Sequence, residues 1–404
     1  MKLLAIVALL AAPARAAFTV PGYELVYSYP VETTLNEPDL RLAQDVWPEM
    51  FDRARKTIDV EQFYITPSAG EPLEASLQAL ERAAKRGVKI RFLLEKKFEK
   101  NSLDGIARLK TIPGLELRIL EWSSVQGAGI IHAKFFIVDS TRAFVGSMNF
   151  DWRSLKHIHE MGLAVDDRAV VADVQRVFEH DWEIADVVVY ERGFKPTDPA
   201  HELDLAENSR PGGDRAPRSY LVASPWKRTP AGIGDSESEL VRLIAEAKER
   251  LQIQLLDYNP TTFARPKRFY PAIDNALRDA AVRGVKVELL VSHWNTEAPA
   301  IDHLRSLSLL PGVTARIITV PEAKQGRIPF SRVAHSKYMV VDGKTLWLGT
   351  SNWAGGYLDQ SRNLELVVKD EALAARAAKV HARLWDCPYT APVELSKPYP
   401  RPRR

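Results

Sequence analysis

A single cysteine, Cys387, stands among 404 residues. One thiol cannot close an intramolecular disulfide, and it cannot furnish a cysteine-rich metal site. Excess charge is nearly absent as well, since 55 Lys and Arg face 52 Asp and Glu for a net +3. That balance marks neither a nucleic-acid nor a membrane surface, so any attraction for phosphate has to be local. No Asn-x-Ser/Thr sequon without an intervening proline occurs, and no lipid-modifiable cysteine follows the N-terminal apolar run. That run, Leu3 to Ala12, is too short for the about 20 residues a bilayer crossing needs. With Lys2 before it and Ala14-Arg15-Ala16 after it, the segment reads as a cleavable signal peptide over residues 1–16. The mature chain is expected to start near Ala17, to have no transmembrane segment, and to reside in a periplasm or outside the cell.

What the chain does contain is ordinary in bulk and unusual in detail. An apolar fraction of 46% and a charged fraction of 26% describe a soluble globular protein, and the length fits two domains. The same residue pattern then occurs twice. His132-Ala133-Lys134, four residues, Asp139, six residues, Gly146-Ser147-Met148-Asn149 is matched by His335-Ser336-Lys337, Asp342, and Gly349-Thr350-Ser351-Asn352 at identical spacing. One His-x-Lys pair would mean little; two copies agreeing through Asp, Gly, Ser/Thr and Asn point to a phosphate-handling site assembled from similar halves.

The repetition extends upstream. Ile58 to Tyr64 and Leu251 to Tyr258 read as strands. Ala79 to Arg86 and Ala276 to Arg283 read as helices stopped by Gly87 and Gly284, and Val88 to Leu94 and Val285 to Val291 as the strands that follow. These elements predict an α/β fold of two similar half-domains, each a mixed β-sheet flanked by helices, with the site between them. The expected division is a first domain over 17–206, a polar, Pro- and Gly-rich linker over 207–219, a second domain over 220–392, and a disordered basic tail over 393–404.

Period-two alternation turns His132 and Lys134 to one face of a strand, and His335 and Lys337 likewise. The turns at Asp139 and Asp342 return each chain to present Asn149 and Asn352 beside them. Lysine ammoniums and asparagine amides suit the non-bridging oxygens of a phosphate. A neutral histidine suits attack on phosphorus, and a protonated one suits delivery of a proton to the leaving oxygen. Asp139 and Asp342, at hairpin turns, read as backbone caps or ion-pair partners. Gly146, Ser147, Gly349 and Thr350 read as structural parts of the motif. Glu160 and Glu365, 28 and 30 residues past their histidines, are placed to accept from an imidazole and fix its tautomer.

These residues resemble the doubled His-x-Lys-(x)4-Asp signature of the phospholipase D superfamily. Within it the chain is most similar to the lysosomal phospholipase D-like single-strand 5′-exonuclease branch and its poxvirus envelope relatives. Gly146 to Ser154, Arg268 to Asp274, Arg327 to Met339 and Gly349 to Gly355 carry the resemblance, which runs from Val46 to Tyr389. It implies a metal-free, cofactor-free reaction through a phosphohistidine on His132, with His335 as general acid and then base. It further implies phosphate binding by Lys134, Lys337, Asn149 and Asn352, and orientation of the histidines by Glu160 and Glu365. The residues alone leave the two histidines equivalent. The chain departs from the lysosomal members, which look membrane-tethered, glycosylated and disulfide-bonded.

Three functional readings follow, the first two with a phosphodiester substrate. The first is single-stranded DNA or RNA cut from an end, with stacking candidates among Phe63, Tyr64, Phe150, Trp152, Tyr258, Trp294, Trp353 and Tyr357, most of them expected in the core. The second is a glycerophospholipid, hydrolysed or passed to an alcohol. The third is a catalytically silent membrane- or partner-binding protein, against which the complete motifs argue, since a binding role would not need all six polar groups. Arg91, Lys96, Lys97 and Lys100 read as a solvated basic face. Oligomeric state is open.

Overall fold

The computed structural model describes residues 17–190 and 217–404 except Ala264. The signal-peptide segment and nearly all of the linker lie outside the described residues.

Each half is built on seven main strands in the same order. In the first half these are β1 (Tyr23–Ser28), β2 (Thr57–Gln62), β3 (Lys89–Glu95), β4 (Leu115–Leu120), β5 (Lys134–Val138), β6 (Arg142–Gly146) and β7 (Glu160–Val165), with helices α1 (Ala43–Arg53), α2 (Leu73–Lys85) and α3 (Arg168–Tyr190). The second half repeats them as β8 (Ser219–Ser224), β9 (Arg250–Leu255), β10 (Lys286–Ser292), β11 (Val313–Ile318), β12 (Lys337–Val341), β13 (Thr345–Gly349) and β14 (Asn363–Lys369), with α4 (Ser236–Glu246), α5 (Pro271–Val282) and α6 (Glu371–Asp386). The sheet orders are β1-β7-β6-β5-β2-β3-β4 and β8-β14-β13-β12-β9-β10-β11, with two-residue and three-residue strands added at the edges. β2, β3 and β4 run parallel, whereas β5 opposes β2, which makes each sheet mixed as the pattern predicts.

Local chemistry sets the boundaries. Helix α2 ends at Lys85 with Arg86 as its cap, and Gly87 takes the left-handed conformation (φ +85°) that lets the Val88 N–H turn back to the Ala83 carbonyl at 3.1 Å. Gly284 and Val285 repeat this after α5. Both helices begin earlier than their apolar periodicity suggests, α5 with Pro271 in its first turn, where a missing N–H costs nothing. Strands β2 and β9 stop short of the expected ends. Ile65–Thr66 and Tyr258–Asn259 leave the main sheets and pair in parallel with Phe150–Asp151 and Trp353–Ala354, which bends each chain over the future site.

Layering ties the halves together. α1 and α2 cover one face of the first sheet, and α4 and α5 cover the corresponding face of the second. Between the two sheets lie α3 and α6. Val174, Phe178, Ala377 and Leu384 of these helices belong to the same apolar cluster as Phe135, Ile137, Val340 and Leu348 of the facing sheets. With full burial of each such side chain contributing about 1.5–3 kcal/mol, this shared layer fixes one half against the other.

Residues 393–404 were expected to be disordered; the structure packs them against the second half. The Val393 N–H bonds the Ala315 carbonyl at 2.9 Å, Thr296 donates to the Pro400 carbonyl at 2.9 Å, and Arg401 meets Glu297. The prolines keep the segment extended and remove its N–H donors, so its carbonyls are taken up by side chains of the domain.

Candidate active site

The two hairpins carrying the motif are held from below by their aspartates. Asp139 and Asp342 sit at φ +53° and +51°, the left-handed region that suits a short polar side chain in a tight turn. Asp139 accepts from the backbone N–H groups of Arg55, Lys56 and Thr57 at 2.6–2.9 Å, and Asp342 from those of Lys248, Glu249 and Arg250 at 2.8–2.9 Å. Burial pushes the Asp342 carboxyl up, but the three N–H donors prevail and hold it below its usual range. Both aspartates are therefore caps that anchor the hairpin to the start of β2 or β9.

Gly146 and Gly349 lie opposite Gly162 and Glu365, so close that a Cβ at Gly146 would stand 2.7 Å from the Gly162 Cα. Ser147 and Thr350 bond the backbone of β7 and β14, which brings Asn149 and Asn352 back to the site.

The halves meet through short cross-connections that obey the same twofold relation. Ile131 bridges Arg362, and His159 bridges Ala334. The His132 N–H donates to the Arg362 carbonyl at 2.9 Å, and the His335 N–H to the His159 carbonyl at 2.8 Å. Each catalytic-motif histidine is thus secured by the opposite half, at the carboxyl ends of the parallel strands where α/β sheets place ligands.

The partners of the two imidazoles differ. His335 Nδ1 lies 2.7 Å from Glu160 Oε2, and Glu160 Oε1 accepts from Ser154 at 2.8 Å. His132 Nδ1 lies 2.9 Å from Asn363 Oδ1, while Asn363 Nδ2 donates to the Tyr357 carbonyl at 2.8 Å. The amide orientation puts the proton on His132 Nδ1 and leaves its Nε2 lone pair free. Glu365, expected to orient a histidine, touches neither; it accepts from Ser236 and Ser351 behind the Gly349–Asn352 turn. Strand register explains the correction. Glu160 pairs with Ser28 and Asn363 with Ser224, so Asn363 is the true counterpart of Glu160 and Glu365 that of Gly162. The missed signal was the spacing itself, since Asn363, like Glu160, lies 28 residues past its histidine.

Lys134 and Lys337 are fully buried, and Lys337 Nζ lies 2.9 Å from His335 Nε2. Burial, with Glu160 and Asp257 opposing it, lowers the Lys337 ammonium to about 7. Burial and then the neighbouring Lys337 push Lys134 well down. Burial and the two lysines likewise hold both histidines well below their usual range. Glu160 is raised by burial to about 7 despite Lys337 and its serine donors. The Oδ1 atoms of Asn149 and Asn352 are buried without a partner. Crowded basic groups of this kind describe a pocket whose electrostatics are completed by an anion, while the two amide oxygens leave acceptor sites for a donor beside it.

Two rings flank His132 edge-on, Phe63 at 5.3 Å and Tyr357 at 4.8 Å. Phe150, Tyr258 and Trp353 are core residues, whereas Tyr64, Trp152 and Trp294 are half-buried. Lys96, Lys97 and Lys100 are exposed, and Arg91 instead pairs with Asp59 and Glu179.

Comparison with known proteins identifies the family. The family model described as cardiolipin synthase, PLD-like domain, matches residues 48–182 and 240–385, one match over each half. With that match spanning most of the sequence, the chain belongs to the phospholipase D superfamily and is one of its phosphodiesterases. Phospholipase D Z of Dictyostelium discoideum is 32% identical over 374 residues, covering 86% of this chain and 86% of the relative. The 5′-3′ exonuclease PLD3 of Rattus norvegicus is 30% identical over 400 residues, covering 91% and 78%. Among solved structures, phosphatidylserine synthase of Haemophilus influenzae shares the fold with a TM-score of 0.62 at 13% identity, covering 86% of this chain and 84% of that one.

Proposed function

We propose that this protein is an exported phosphodiesterase that shortens single-stranded DNA or RNA from an end through a phosphohistidine on His132. The observation that carries the mechanism is the unequal pairing of the histidines: an amide oxygen behind His132, a carboxylate behind His335. A carboxylate stabilises an imidazolium, whereas an amide oxygen orients a neutral ring. His132 Nε2 attacks phosphorus, and His335, protonated once the phosphate is bound, gives its Nε2 proton to the leaving oxygen as the P–O bond breaks. Water then attacks the phosphohistidine, its proton passing to His335 and the P–N bond breaking to free His132. Lys134, Lys337 and the amide nitrogens of Asn149 and Asn352 hold the non-bridging oxygens. Glu160 and Asn363 orient the histidines.

Nucleic acid as substrate is supported by the Phe63 and Tyr357 rings beside His132, since ring stacking contributes about 1–3 kcal/mol per base. The name of the rat relative supports it as well. A phospholipid reading rests on the Dictyostelium relative's name. No helix among the described residues is long and apolar enough to cross a membrane; export rests on residues 1–16. The test is to incubate purified protein with end-labelled oligonucleotides of both polarities, and separately with phosphatidylcholine plus a primary alcohol, in chelator. Stepwise oligonucleotide shortening that is lost in His132→Ala supports the proposal. Lipid turnover without shortening refutes the substrate assignment, and loss of activity to chelator refutes the metal-free chemistry.

A further inference from the structure

Residues of the 397–404 segment and the loop before His335 enclose a cavity of about 480 Å³. Its wall includes Arg327, Arg332, Arg403 and Arg404 together with His293 and Phe330; among the described residues Glu322 is the one acidic side chain of the lining, and Arg327 is already bonded to the Arg404 main-chain oxygen. Arg332 is the telling group. It is 4% exposed, its Nε and Nη1 donate to the Pro321 and Val31 carbonyls at 2.6 and 2.8 Å, and its Nη2 is buried without a partner. Phe330 and Arg332 both stand at φ +56°, a left-handed conformation that costs energy for bulky residues and is kept where the surroundings require it. Burial pushes the Arg332 guanidinium below its ordinary range although Glu32 opposes it, and with no carboxylate hydrogen-bonded to it and Nη2 left without a partner, the cavity suits an anion.

The cavity also adjoins the reaction site. Arg332 precedes His335 by three residues, a reach of at most about 10 Å of extended chain, and its N–H bonds the His157 carbonyl across the seam between halves. Trp294 packs with Ile158 and Val333 of the same seam, carries Arg404 5.3 Å above its ring and meets Phe330 edge-on at 6.5 Å. Cations beside aromatic rings, of which Phe330 is exposed, suit a single strand, whose phosphates and bases alternate.

We infer that this cavity is a second phosphate subsite, which holds a phosphate of the substrate strand next to the one being cleaved. It rests on the nucleic-acid reading above. The probes are a dinucleoside monophosphate, which has only the scissile phosphate, and a tetranucleotide. Arg332→Gln lowers kcat/KM for the tetranucleotide at least tenfold while dinucleotide cleavage is retained. The exposed Arg403→Ala does the same to a smaller degree, without risk to folding. Each lost contact also reduces the salt slope of tetranucleotide binding by about 0.7. An equal loss on both substrates would show that Arg332 acts by placing His335, and no change in either variant would show that the cavity holds no strand; both overturn the subsite. Calorimetry with inorganic pyrophosphate separates this from the substrate question. Two binding events in the wild type, one of them absent in Arg332→Gln, keep the anion site even if no oligonucleotide is cleaved, with the phosphate then coming from another source such as a lipid headgroup. Absence of that second event overturns it.

Discussion

Asn363→Asp places a carboxylate where His132 now meets an amide oxygen at 2.9 Å. In the wild type, burial and the two lysines keep His132 neutral well below its ordinary range. A negative charge at hydrogen-bond distance raises such a pKa by about 1–3, which moves protonation of the nucleophile up toward the range where the enzyme is assayed. The variant therefore gains an acid limb. kcat/KM for a small chromogenic phosphodiester falls about tenfold per pH unit below the new pKa and approaches the wild-type value well above it. The Asn363 amide also donates to the Tyr357 carbonyl at 2.8 Å, and its loss destabilises the fold by about 1–3 kcal/mol, so thermal melts accompany the kinetics. Asn363→Ala is the control, because it removes the acceptor without adding charge and lowers activity evenly across pH. A pH-independent loss in Asn363→Asp, or a limb on the alkaline side, would refute the claim that His132 works as the neutral nucleophile.

Other outcomes follow from the same geometry. Glu160 raises the Lys337 pKa against burial, so Glu160→Gln moves the alkaline decline of kcat/KM to lower pH; an unmoved or more alkaline limb in the pH-rate profile would contradict this. Lys134 is protonated in the unfolded chain below about 10.4 but disfavoured as a cation when folded, so it costs stability there. Lys134→Met accordingly abolishes turnover yet raises Tm at pH 7, and the gain shrinks toward pH 10; a lowered Tm would show that the ammonium is compensated inside the empty site. Asp139→Asn weakens a cap over three backbone N–H groups, for about 1–2 kcal/mol in denaturant unfolding, with kcat within about twofold. A large loss of kcat without loss of stability would make Asp139 catalytic.

The parts of this molecule legible in sequence are those with local periodicity. The helix stops at Gly87 and Gly284 and the doubled motif announced two α/β halves, because glycine caps, strand alternation and hairpin spacing are properties of short stretches. Glu160 was legible as a histidine partner, but which histidine it serves was not, since the cross-connection of Ile131 with Arg362 and His159 with Ala334 is a fact of assembly. Glu365 misled because a carboxylate two residues out of register looks like a counterpart when chemistry is weighed above spacing. Asn363, of different chemistry at the right spacing, was passed over. The basic segment at residues 394–404 was read as solvated because its partners, such as Thr296 and Arg305, lie about a hundred residues away.

The central claim is one site, built from two halves, that works through a covalent bond to His132. Acid-labile phosphorylation can be mapped by mass spectrometry on protein quenched at alkaline pH during turnover. The account predicts phosphohistidine at His132, accumulating when His335→Asn blocks its hydrolysis in the presence of a substrate with a good leaving group, and absent in His132→Ala. Label on His335, or none on either histidine during steady turnover, would contradict it.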